Sequence, residues 1–164
     1  VICTQRYDSP LGGILLAADE SGLTGLWFDG GKHFAEGLPA AQLRQETPIL
    51  AAAKRWLDIY FTGREPDFLP PLHPAGSLFQ QAVWALLLQI PYGQTVTYGQ
   101  LAARLAAERG FVRMSAQAVG GAVGRNRISL IIPCHRVLGA DGSLTGYAGG
   151  LDRKAKLLAW EQGK

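Results

Sequence analysis

A chain of 164 residues with a formal charge of +3 is long enough for a real core, as one domain or as two small ones. It holds no internal repeat, no low-complexity tract and no apolar run near the roughly 20 residues of a membrane span, which excludes a repeat array and a membrane-spanning helix. Two cysteines, Cys3 and Cys134, exclude a disulfide scaffold and point to reduced thiols, while the mild positive charge is compatible with a polyanionic partner without separating a nucleic-acid binder from a basic enzyme.

The start, Val1-Ile2-Cys3, has no basic region followed by an apolar core, so a cytoplasmic location is expected, and the missing initial Met suggests processing or trimming. Three short segments, Ile2–Tyr7, Ile14–Ala18 and Leu23–Phe28, are separated by turn formers and read as an antiparallel meander. Asp29–Glu46 has no clean period and reads as loop with at most a short helix. Thr47-Pro48 then opens an amphipathic helix that places Ile49, Leu50, Ala53, Leu57, Tyr60 and Phe61 on one face and stops near Gly63. The proline-rich stretch Arg64–Gly76 is the linker candidate, dividing a 1–75 domain from a 76–164 domain near Ala75.

The second part reads as mostly helical. Ser77-Leu78-Phe79-Gln80 has capping-box spacing and opens a helix apolar nearly all round, hence expected to be buried, that ends before Pro91. Thr97-Tyr98-Gly99-Gln100 is a second capping box, for a helix to about Ala107. Glu108–Met114 reads as loop, and Ser115 caps a further helix from Ala116 to about Val123, so the pair suggests helix-turn-helix. Gly120 and Gly121 in that last helix each cost about 1 kcal/mol relative to alanine and need a reason. Either the helix packs closely against another inside the domain, or its bare face enters a DNA minor groove only about 6 Å wide.

Ser129–Ile132 is β-branched-rich and reads as a short strand that Pro133 terminates, delivering Cys134 and His135 at its mouth. An activated cysteine needs a neighbouring basic group, because the thiolate is the nucleophile. Asn126, just upstream, can brace a turn through its amide, and the glycine-rich loop Leu144–Gly150 with its single aromatic can wall a pocket. Asp152 can cap a last helix with Ala155, Leu158 and Ala159 on one face and Glu161 at its end. His33 and His73 read as surface loop residues. With Cys3 they lack zinc-finger spacing, and no glycine cluster matches a phosphate-binding pattern, so neither metal nor nucleotide cofactor is expected.

Pro133-Cys134-His135-Arg136-Val137, with Ala118-Val119-Gly120-Gly121-Ala122 upstream and Gly146-Tyr147-Ala148-Gly149-Gly150 downstream, resembles the O6-alkylguanine-DNA alkyltransferases. The likeness runs almost continuously from Ser77 to Glu161 and more loosely through Asp8-Ser9-Pro10-Leu11-Gly12. It implies an α+β fold: a small N-terminal antiparallel sheet with a helix, then a helical domain carrying the helix-turn-helix and the acceptor cysteine. The resemblance implies a monomer that binds duplex DNA containing alkylated guanine and flips the base. A methyl or larger alkyl group then moves irreversibly from O6 of guanine, or O4 of thymine, onto Cys134, without cofactor or metal. In that scheme Glu161 orients His135, which removes the Cys134 proton through a water, and Asn126 braces the turn. Tyr98 donates a proton to the leaving guanine and lies against the flipped nucleotide's phosphate. Ser115, Ala116, Gln117, Gly120 and Gly121 line the DNA-binding helix, Val137, Tyr147 and Ala148 surround the base, and Arg136 is an internal structural arginine. Two departures stand out. Gln117 occupies the position of the family's usual intercalating arginine, and the connection Ala106–Arg113 is longer. A lesion-binding protein without chemistry and a thiol hydrolase or acyltransferase using Cys134, His135 and Glu161 are the competing readings.

Overall fold

Turn-forming residues cut the first 28 residues into three strands of an antiparallel meander, β1 (Cys3–Ser9), β2 (Gly12–Ala18) and β3 (Leu23–Phe28). The computed structural model of the chain describes residues 1–110 and 114–163. Ser9 organises the first turn: its Oγ donates to the Gly12 carbonyl at 2.6 Å and accepts from the Leu11 N–H at 3.1 Å. Asp19 organises the second, accepting from the Ser21 and Gly22 N–H groups at 2.8 and 2.9 Å. A two-residue strand, β4 (Leu43–Arg44), pairs parallel with β1 and gives the order β3-β2-β1-β4. It lies in the segment expected to be loop, where two exposed residues carry no burial pattern to reveal it.

Helix α1 (Pro48–Tyr60) begins where Thr47 Oγ1 accepts from the Leu50 N–H at 3.2 Å, and it packs on the sheet. Its buried face is Leu50, Ala53, Trp56, Leu57 and Tyr60; Ile49 and Phe61, expected there, are half-buried. The proline-rich connection is tied to the sheet rather than free, with the Leu23 N–H donating to the Pro71 carbonyl and the His73 N–H to the Leu23 carbonyl, both at 2.8 Å.

Capping boxes at Ser77/Gln80 and Thr97/Gln100 form as expected and start α2 (Leu78–Leu87) and, after β5 (Val96–Thr97), α3 (Tyr98–Arg109). Contrary to expectation, α2 is not buried all round. Val83, Trp84, Leu86 and Leu87 face the core, while Leu78 is 83% exposed. Helix α3 runs two residues further than expected, to a left-handed Gly110 at φ 73°. The expected loop Glu108–Met114 and the longer connection Ala106–Arg113 fall partly on residues 111–113, outside the described residues. Helix α4 (Ala116–Gly124) is capped by Ser115, whose Oγ accepts from the Ala118 N–H at 3.1 Å, and packs on α2 and α3 through Val119, Ala122 and Val123.

The expected strand Ser129–Ile132 does not form. Ile128 makes one parallel bridge to Leu26, then Leu130 turns the chain at φ 73°, with local bonds from the Ile131 N–H to the Ser129 carbonyl (2.8 Å) and from the Ile132 N–H to the Ile128 carbonyl (3.1 Å). Side chains buried on every side give such a turn the composition of a strand. A one-turn 3₁₀ helix, Cys134–Arg136, leads into β6 (Val137–Leu138), which pairs parallel with β5.

The last helix, α5 (Leu151–Glu161), is preceded by Gly150 at φ 96° with no side-chain cap; Asp152 instead pairs with Lys156 at 3.0 Å. Its inward face is Lys154, Leu157 and Glu161, not Ala155, Leu158 and Ala159. One buried cluster runs from the sheet and α1 through α2, α3 and α4 to the 3₁₀ turn and α5. Among the described residues no helix is long and apolar enough to cross a membrane.

Candidate active site

The turn around Cys134 is held open by one side chain. Asn126 Nδ2 donates to the Ile132 carbonyl at 2.9 Å and toward Cys134 Sγ at 3.3 Å, while its Oδ1 accepts from the Ile128 N–H at 2.9 Å. One amide thereby replaces the ladder bonds a strand would have supplied. Cys134 is a free thiol, 5% exposed. Burial pushes it up to about 11, against the Asn126 hydrogen bond and the nearby Lys154 charge, so it is protonated at neutral pH.

Behind the thiol, His135 is fully buried with Nε2 at 2.7 Å from Glu161 Oε2. Burial alone would raise the Glu161 carboxyl, but hydrogen bonds and charge from His135 and the Arg136 guanidinium hold it down at about 2. An ionised carboxylate only accepts, so the Nε2 of His135 carries the hydrogen. Burial lowers the imidazole below its ordinary value, which keeps the ring neutral and makes Nδ1 a lone-pair acceptor. Nδ1 is buried without a protein hydrogen-bond partner among the described residues.

Glu161 is also the acceptor for Tyr60 (2.7 Å), the Gly93 N–H (3.2 Å) and two guanidinium nitrogens of Arg136, Nε at 2.8 Å and Nη2 at 3.1 Å. Arg136 Nη1 donates to the Ile90 carbonyl at 2.7 Å. Sequence reasoning places Arg136 inside the protein but misses its grip on Glu161. It misses Tyr60 altogether, since a tyrosine within an apolar helical stripe is indistinguishable from core. Lys154, fully buried, is missed for the same reason as Glu161's burial: charged residues read as solvated. Its ammonium donates to the Val137 and Thr145 carbonyls at 2.6 Å and fastens the glycine-rich loop to α5.

Cys134 faces a cavity of about 350 Å³. Tyr98, Gly120 and Val123 wall one side, Tyr147, Ala148 and Gly150 another, and Lys32 and His33 from the loop after β3 close the rim. Tyr147 stacks edge-on to His135 with ring centroids 6.3 Å apart, and Tyr98 accepts from Thr145 Oγ1 at 3.4 Å. Val137 is not in the wall: it lies fully buried in β6, its carbonyl taken by Lys154. Ser115, Ala116 and Gln117 stand exposed at the start of α4, outside the cavity.

The bare helix face has its answer in the same place. A Cβ on Gly120 would meet the Tyr98 ring at an ordinary 3.5 Å, and on Gly121 or Gly124 it would meet nothing within 4 Å. Internal packing therefore does not require these glycines, and the face they leave bare points outward.

Two family models cover nearly the whole chain, the 6-O-methylguanine DNA methyltransferase ribonuclease-like domain over residues 2–74 and the DNA binding domain of the same name over residues 78–163. The chain belongs to the 6-O-methylguanine DNA methyltransferase family. It is similar to the methylated-DNA–protein-cysteine methyltransferase of Methanosarcina acetivorans, 44% identical over 155 residues covering 94% of this chain and 95% of that protein. The Mycobacterium leprae protein of the same name is 43% identical over 162 residues, 99% of this chain and 93% of that one. Among solved structures, Mycobacterium tuberculosis OGT in complex with DNA matches with a TM-score of 0.83 at 39% identity, over 99% of this chain and 92% of that one. As a methyltransferase of this family the chain is an enzyme of DNA repair by alkyl transfer.

Proposed function

We propose that Cys134 is the irreversible acceptor of a methyl or larger alkyl group from O6 of guanine, and from O4 of thymine, in duplex DNA, so that each molecule acts once. The observation that carries the reading is a protonated thiol on the wall of a base-sized cavity, backed by a neutral histidine whose free ring nitrogen has no protein partner among the described residues. An alkylated oxygen inside the base stack is out of reach of a buried thiol, so the nucleotide is flipped into the cavity. Nδ1 of His135 takes the thiol proton through a bridging water, Glu161 holding Nε2–H and stabilising the imidazolium that forms. The sulfur then attacks the alkyl carbon, the C–O bond breaks, and the guanine receives a proton from the Tyr98 hydroxyl. A thioether remains, with no leaving group to release it.

The exposed face of α4, with Ser115, Ala116, Gln117, Gly120 and Gly121, is the DNA-facing surface, entering the minor groove with Tyr98 beside the flipped nucleotide's phosphate. Tyr147 and Ala148 flank the base, while Val137, outside the wall, anchors Lys154 beneath them through its carbonyl. Residues 76–164 act as the acceptor domain of a monomer and residues 1–75 as its support. Incubation with a duplex carrying O6-methylguanine is expected to add one methyl group to the peptide containing Cys134, detected by mass spectrometry, with a yield that never exceeds one per protein. A Cys134 peptide without added mass overturns the reading, and sustained turnover overturns its single-use part.

A further inference from the structure

The acceptor cavity shares Lys32, His33, Gly124, Asn126 and Ala148 with a second cleft of about 430 Å³, which lies between the loop after β3 and the C-terminal end of α4. The loop is fixed against the acceptor wall: the Lys32 N–H donates to the Ala148 carbonyl at 2.7 Å. Its His33 and Ala35 both take left-handed backbone angles, φ 61° and 58°, which side chains rarely adopt. A conformation held against that cost needs contacts that hold it. Glu36 is their centre, with His33 Nδ1 at 2.8 Å, Arg125 Nη1 at 3.1 Å and Arg127 Nη2 at 4.0 Å.

One guanidinium is enough to neutralise Glu36, yet the cleft collects Lys32, Arg125 and Arg127 around a single carboxylate. Arg127 has a packing role, since a Cβ on Gly37 would meet its Nη1 at 2.6 Å. Arg125, 54% exposed, and Lys32, which forms no ion pair among the described residues, have none comparable. Gly124 lines the same cleft, and a Cβ there would find open space. A nucleotide whose base occupies the acceptor cavity keeps its flanking phosphates within one nucleotide of the rim, and this rim leads into the cationic cleft.

We propose that this cleft is a second DNA contact beyond the helix-turn-helix. Lys32 and Arg125 take backbone phosphates of the strand carrying the flipped nucleotide, and Arg125 exchanges Glu36 for phosphate on binding. The inference rests on the DNA reading above and brings the N-terminal half into recognition.

Its test is the salt dependence of binding to a duplex carrying O6-methylguanine, on a Cys134→Ser background that does not consume the lesion, followed by fluorescence anisotropy between about 0.05 and 0.2 M salt. Each lost phosphate contact lowers the slope of log K against log salt by about 1 and weakens affinity regardless of sequence. The double variant Lys32→Gln/Arg125→Gln is expected to lose about 2 from the slope, whereas Arg64→Gln, on the linker, leaves it unchanged. Glu36→Gln frees Arg125 and is expected to tighten binding about two- to five-fold, the opposite sign. An unchanged slope in the double variant, or weaker binding by Glu36→Gln, overturns the proposal. Methylation of Cys134 in the wild type is read separately, so a failed acceptor and a failed cleft give different results.

Discussion

Replacing Glu161 with glutamine keeps the shape of the side chain and removes its charge. The carboxylate accepts five hydrogen bonds, from Tyr60, Gly93, His135 and twice from Arg136. An amide offers one oxygen, and its nitrogen is a donor set among donors. The Arg136 guanidinium, 9% exposed, is left without a counter-charge. Breaking a buried pair in this way costs about 3–5 kcal/mol. A second route gives a similar figure: the carboxyl is held at about 2 against an ordinary 4.5, and a difference of about 2.5 units corresponds to about 3 kcal/mol. Because the folded value is the lower one, that stability is complete above pH 4.5 and is lost as pH falls toward 2. His135 acts earlier: burial holds its value below 6.5, so stability begins to fall once the pH drops below 6.5. Urea denaturation across the acid range is expected to show both limbs in the wild type. Glu161→Gln is expected to keep the upper limb, lose the lower and unfold more easily by about 3 kcal/mol at neutral pH. A loss below about 1 kcal/mol with an unaltered acid profile refutes the reasoning.

Other outcomes test the site from different sides. The Cys134 thiol is expected to react with a small alkylating reagent at a rate rising to a half-point near pH 11 in the folded protein, against about 9.0 unfolded. Asn126→Ala, by removing a hydrogen bond that lowers it, is expected to move the half-point higher and to slow transfer from DNA; an unchanged pH profile counts against the Asn126–Cys134 contact. Gly121→Ala, with open space at its Cβ, is expected to stabilise the free protein by up to about 1 kcal/mol while weakening DNA binding. Unaltered affinity would return that glycine to a purely local role. Gln117→Arg, at an exposed position on the same face, is expected to leave affinity equal or higher and transfer intact, measured by anisotropy and by Cys134 methylation; a large loss of transfer rate shows a different use of Gln117.

Local signals were legible where the backbone answers to one or two nearby residues. Ser77/Gln80, Thr97/Gln100 and Ser115 announce their helices because a hydroxyl and an amide three residues apart suffice to satisfy the first turn. What escaped depended on partners distant in the chain. Ser129–Ile132 is as apolar as a strand because its side chains are all buried, but its backbone bonds are supplied by itself and by Asn126. The core face of α5 holds two charged residues whose burial is tolerable only through Tyr60 and Arg136 for Glu161, and through the carbonyls of Val137 in β6 and of Thr145 and Gly146 in the loop for Lys154. Neither charge belongs to the apolar period that sequence reasoning follows. The Cys134, His135 and Asn126 cluster lies within ten residues and was legible; Lys32 and His33 at the cavity rim come from about a hundred residues away and carry no local mark.

The burial that holds Cys134 near 11 also bears on the shelf life of the protein. Oxidants and metal ions in bulk solution take the thiolate, and sulfenic and sulfinic acids form fastest on exposed, acidic cysteines. On the proposed single-use reading, a residue that accepts one alkyl group and is never regenerated has the most to lose from such side reactions. At 5% exposure and with the proton firmly on sulfur, Cys134 is guarded while it waits. In the proposed mechanism the histidine behind it gives the reactive form only to what fits the cavity and delivers its carbon to the sulfur, so selectivity and durability would come from the same few ångströms of protein.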